Sequence, residues 1–65
     1  MGDALTTRER QILALLADGR TNSEIAEQLV IGVSTVKTHV SSIISKLGVS
    51  SRTEATSLAI RRGLV

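Results

Sequence analysis

A chain of 65 residues has room for one domain, and at this size only about 60% of the unfolded surface is buried on folding, so the stability margin is thin. It holds no Cys, no Pro and no aromatic residue, which excludes disulfides, thiolate metal sites and the small secreted scaffold. Its 42% apolar content of Leu, Ile, Val, Ala and one Met suits short packed helices rather than a large β-core. The net charge of +2 says little in total and more in distribution: residues 1–32 carry three basic and five acidic side chains, residues 33–65 carry five basic ones and Glu54 alone, and no carboxylate stands from Gln28 through Thr53.

The first element opens at Leu5-Thr6-Thr7-Arg8-Glu9, where the Thr6 hydroxyl can accept from the amide three residues on and Glu9 can reach back to the Thr6 amide, a capping box. Ile12, Leu13, Leu15 and Leu16 form its apolar stripe and Asp18-Gly19 stops it, predicting a helix over roughly 7–18. Thr21-Asn22-Ser23-Glu24 repeats the box before a helix of barely two turns carrying Ile25, Ala26 and Leu29, and Val30-Ile31-Gly32 then turns the chain sharply. In the third element Val33, Val36, Val40, Ile43, Ile44 and Leu47 fall within an arc of roughly 100° on a helical wheel, and Gly48 stops it. Five of those six are β-branched, yet their spacing of 3, 4, 3, 1 and 3 is helical and fails the period of a strand. Ser51-Arg52-Thr53-Glu54 offers a third capping box, opening a last helix with Ala55, Leu58 and Ala59 inward and Gly63 at its close. The fold predicted is all-α, a single domain over 1–65 with an ordered core of about 5–65.

Catalysis has little to work with. His39 is the lone imidazole, and Glu24 and Glu27, three apart on the second helix, read as a cap and a solvated face rather than an acid–base pair. Neither GxGxxG nor GxxxxGK occurs, and one His makes no metal site, so no enzyme activity, cofactor or metal is expected. Apolar runs such as 12–17 fall short of the about eighteen residues of a membrane span, and the N-terminus lacks a signal-peptide core, which fits a cytoplasmic protein without a membrane partner.

The polar side of the third helix is the distinctive surface. Ser34, Thr38, Ser41, Ser42 and Ser45 lie opposite the apolar stripe, with Lys37 at one margin and Thr35, His39 and Lys46 toward the other, and no acid interrupts them. Ser and Thr are mediocre helix formers, so a face selected for helix stability alone would hold other residues. Short donors and acceptors flanked by cations suit close approach to phosphates and base edges. A two-turn helix, a tight turn and a longer helix with a divided polar side form a helix-turn-helix over about 21–47, whose second helix enters the major groove, and Ala26 fits the close crossing of the pair.

Leu5-Thr-Thr-Arg-Glu9, Gly19-Arg-Thr-Asn-Ser-Glu-Ile-Ala26, Thr35-Val-Lys-Thr-His-Val40, Lys46-Leu-Gly48 and Ser51-Arg-Thr53 resemble, in order and spacing, the LuxR-type helix-turn-helix domain of quorum-sensing regulators and NarL/FixJ (GerE-like) response regulators. The resemblance covers 5–65, with one departure: Gly32 stands where the family usually has Ser. It implies a recognition helix that reads bases through Ser34, Lys37, Thr38 and Ser41, with Thr21, Asn22, Thr35, His39, Ser42 and Lys46 at phosphate-contacting positions. It also implies double-stranded DNA and RNA polymerase as partners, and a homodimer on DNA formed through the last helix, about 52–62. On that helix Thr53, Thr56, Ser57 and Ile60 lie opposite the core stripe, which leaves Ile60 exposed. The implied context is a C-terminal effector domain behind a receiver or ligand-sensing domain, with Met1-Gly2 as an added start. A helical protein-interaction adaptor would bind protein without salt-sensitive DNA binding and lacks a large apolar groove here, and an RNA module would need the missing aromatic stacking residues.

Overall fold

The computed structural model describes residues 4–65, so the proposed start Met1-Gly2 lies outside the described residues. The described residues hold four helices, α1 (Thr7–Ala17), α2 (Asn22–Leu29), α3 (Val33–Leu47) and α4 (Arg52–Arg61), and no strand.

Two of the three capping boxes close in both directions. The Thr6 hydroxyl accepts from the Glu9 amide at 3.1 Å while the Glu9 carboxylate accepts from the Thr6 amide at 2.8 Å, and Thr21 and Glu24 repeat both bonds at the same lengths. The third is half-formed: Ser51 accepts from the Glu54 amide at 3.1 Å, but Glu54 takes the Ser50 amide at 3.5 Å instead of that of Ser51. Backbone direction explains the difference, since φ is −153° at Ser51 against −73° at Thr6 and −77° at Thr21, which swings the Ser51 N–H away from the carboxylate.

All four helices end on the same pair of bonds, in which the residue past a left-handed position donates five residues back: Arg20 to Leu15, Ile31 to Ala26, Val49 to Ile44 and Leu64 to Ala59. Gly19, Gly48 and Gly63 hold the left-handed position in three of them, and Val30 holds it in the fourth at φ 57°. Gly32, which stands where the family usually has Ser, is the extended N-cap of α3 and makes no side-chain cap bond.

One core joins Ile12, Leu13 and Leu16 of α1, Ile25 and Ala26 of α2, Val36, Val40 and Ile43 of α3, and Ala59 of α4. Helix α3 packs against each of the other three; of its apolar arc Val36, Val40 and Ile43 are buried, Ile44 and Leu47 are half-buried against the core, and Val33 in the first turn is 39% exposed. Leu58 is only half-buried, and the two alanines, 0% exposed, supply the inward face of α4. No helix of the described residues is long and apolar enough to cross a membrane.

Candidate nucleic-acid interface

Burying Val36, Val40 and Ile43 leaves the opposite side of α3 to water. Ser34, Lys37, Thr38 and Ser41 are all exposed, and their i, i+3, i+4, i+7 spacing stacks them on one face over two turns. Lys37 takes part in neither of the ion pairs found among the described residues. The Thr38 hydroxyl donates back to the Ser34 carbonyl at 3.1 Å, so outward it offers a methyl group and acceptor lone pairs rather than its proton.

The flanking row, Thr35, His39, Ser42 and Lys46, is split. Its first half is open, with Thr35 exposed and His39 half-buried. Its second half is turned onto α1, where Lys46 Nζ donates to Glu9 Oε1 at 2.8 Å and Ser42 Oγ donates to Glu9 Oε2 at 2.6 Å. Glu9 is only 4% exposed, with the Thr6 amide as its third donor. The Lys46 bond above all, then those of Ser42 and Thr6, hold its carboxyl at about 2, well below the ordinary 4.5, against the opposing pull of burial. A dielectric-shielded ion pair is thereby built between the start of α1 and the last turn of α3. Sequence reasoning saw Glu9 only as a cap, because an ion pair across 37 residues leaves no local signature.

At the start of α2, Thr21 is exposed and its hydroxyl is committed to the Glu24 amide. Asn22 is half-buried, and its Oδ1 accepts a hydrogen bond from Arg52 Nη1, while Arg52 Nη2 donates to the Arg20 carbonyl at 2.6 Å. That link between α2 and α4 was not anticipated. Along α4, Thr53 and Ser57 are exposed, Thr56 is half-buried and Ile60 is 59% exposed, so the stripe opposite the core faces outward as its spacing predicts. No group of three His, Asp or Glu side chains among the described residues is placed to hold a metal ion.

The description "Bacterial regulatory proteins, luxR family" fits residues 3–59. The chain is 54% identical over 63 residues to the transcriptional regulatory protein LiaR of Bacillus subtilis (strain 168), covering 97% of this chain and 30% of LiaR. It therefore spans less than a third of that relative's length. Among solved structures it is similar to the transcription factor GerE, with a TM-score of 0.84 at 41% identity, covering 95% of this chain and 94% of GerE. It is also similar to VqmA from a Vibrio cholera VqmA–ligand–DNA complex, with a TM-score of 0.90 at 33% identity over 98% of this chain and 28% of VqmA.

Proposed function

Because the chain belongs to the luxR family of bacterial regulatory proteins, we propose that it binds specific double-stranded DNA sequences by laying α3 in the major groove, and so regulates transcription. The observation that carries this is the face of Ser34, Lys37, Thr38 and Ser41, all exposed and free of acid, on a helix pinned along its opposite side by the core. These four side chains meet base edges: Lys37 donates to guanine acceptors, the serines donate or accept, and Thr38 offers its methyl group to thymine. Thr21, Asn22, Thr35 and His39 contact phosphates beside them. Ser42 and Lys46 take part chiefly by holding α3 on Glu9, with the part of Lys46 that remains open, 22% of its side chain, facing the backbone. The domain spans the whole chain, with the helix-turn-helix in its middle and α4 pairing two copies on adjacent half-sites. VqmA, solved with DNA, and LiaR, a transcriptional regulator by name, support this reading. Binding, not catalysis, is its role, in the cytoplasm, with RNA polymerase as the partner through which a promoter-bound dimer acts.

A salt titration tests it. Affinity for duplex DNA falls with a log–log slope of about −0.9 per phosphate contact, and a slope near zero defeats the reading. With a duplex selected from random sequence, Lys37→Ala loses about 1 to 3 kcal/mol of binding without altering the circular dichroism spectrum. Undiminished affinity removes Lys37 from the base-reading set.

A further inference from the structure

Arg52, half-buried, is the first residue of α4, and its guanidinium crosses to α2, a helix outside the extensively packed pairs, which are α2 with α3, α1 with α3, α1 with α4 and α3 with α4. Its two bonds go to neutral acceptors, Asn22 Oδ1 and the Arg20 carbonyl, and neither ion pair of the described residues includes it. The guanidinium lies beside the amino-terminal end of α2, where the Glu24 carboxylate offsets part of the positive end of the helix dipole and an arriving anion is favoured further.

Chemistry also decides what the link does to Asn22. A carboxamide has an accepting end and a donating end of nearly the same shape, and a free one takes either orientation. Guanidinium donates only. With Arg52 in place the Asn22 oxygen must point to α4, and the flipped amide would set its N–H groups against those of the guanidinium. The Nδ2 group is therefore the end left to the surface, beside the first-turn amides of Asn22 and Ser23, that of Glu24 being capped by Thr21.

We infer that Arg52 is a positioning residue for DNA binding: it fixes the Asn22 side chain with Nδ2 outward, ready to donate to a phosphate oxygen, and ties that contact to the first turn of the pairing helix α4. The inference rests on the reading of Asn22 as a phosphate contact. Orienting the amide before DNA arrives removes the loss of side-chain freedom that an unrestrained Asn would suffer on binding. It also means that α2 and α4 approach the backbone as one piece, although their surfaces barely meet.

The test uses the whole chain, a duplex selected by the wild-type protein, and melting curves for every variant. Asn22→Asp retains an acceptor for Arg52, so its melting temperature holds or rises. Its outward atom changes from donor to anionic oxygen, and affinity falls at least tenfold. Arg52→Lys keeps the charge but cannot bridge both acceptors, and binds severalfold more weakly than wild type at a temperature where both are folded. Arg52→Met loses affinity in the wild-type background and loses little further in an Asn22→Ala background, because the effect runs through Asn22. Equal losses from Arg52→Met in both backgrounds, wild-type binding by Arg52→Lys, or wild-type binding by Asn22→Asp would each overturn the inference. If the wild-type chain binds no duplex at all, the DNA-binding reading itself falls and this inference with it.

Discussion

Val30 holds a left-handed backbone, φ 57° and ψ 50°, and is 88% exposed. A β-branched residue is a rare occupant of that region, and since its side chain touches so little, nothing at Val30 itself compensates the strain of about 1 to 2 kcal/mol. The compensation comes from its neighbour: Ile31 packs against the core and its amide bonds the Ala26 carbonyl at 3.0 Å, which forces the turn between α2 and α3 through Val30. Val30→Gly relieves the strain and returns about 0.4 to 1 kcal/mol to the unfolded chain as entropy. The net gain is about 0.5 to 1 kcal/mol, seen as a melting temperature higher by about 2 to 8 °C. A lower melting temperature would show that Val30 carries no such strain. Glycines marked the other three helix ends in advance because composition and geometry agree there. At Val30 they disagree, because the glycine of that turn, Gly32, stands two residues later as the N-cap of α3 and leaves the left-handed position to a valine.

Between elements, the Glu9 cluster does for α1 and α3 what the apolar core does more diffusely. Its carboxyl is held at about 2 in the folded chain against 4.5 ordinarily, so it stabilises the fold fully above pH of about 4.5, and the contribution is lost as the pH falls toward 2. Allowing for screening near the surface of so small a domain, it is worth about 1 to 3 kcal/mol. Glu9→Gln retains the cap to Thr6 but leaves the Lys46 ammonium unpaired, so the variant is less stable at pH 7 by about that amount. Between pH 4.5 and 2 its urea midpoint converges on that of wild type, and a constant gap across this window would show that the ion pair contributes nothing. The helices and most of their boundaries were legible in the sequence, since caps, glycine stops and apolar periodicity are short-range signals that here coincide. So was the exposed face of Ser34, Lys37, Thr38 and Ser41, because fixing the buried arc of α3 fixes its opposite. The bonds of Lys46 and Ser42 to Glu9, and of Arg52 to Asn22, were not legible, because a polar side chain at the margin of a helix can serve solvent, ligand or a distant neighbour, and only the tertiary arrangement selects among them.

At the scale of the whole molecule, the area available sets how two copies can meet. A stable interface needs about 800 Å² from each partner, about a fifth of the 4114 Å² this chain exposes, and the stripe of Thr53, Thr56, Ser57 and Ile60 on a ten-residue helix offers far less. The pairing proposed for α4 therefore calls for DNA, which would bring two domains to a fixed spacing and raise their effective concentration enough for a small contact to act. Ile60, 59% exposed and the sole large apolar side chain of that stripe, is the residue on which the proposed contact turns. Ile60→Asp sets two carboxylates near each other across the two-fold axis and removes the apolar contact, while Ala55 and Ala59 on the opposite side stay buried. As a surface substitution it moves stability by no more than about 0.5 kcal/mol. On a duplex carrying one half-site the variant binds as wild type does, and on a duplex carrying two it fills them independently where the wild type fills them together, as gel shifts of the two duplexes report. Loss of single-site binding would mean that Ile60 supports the fold or the DNA contact instead, and undiminished cooperativity would move the pairing surface off α4.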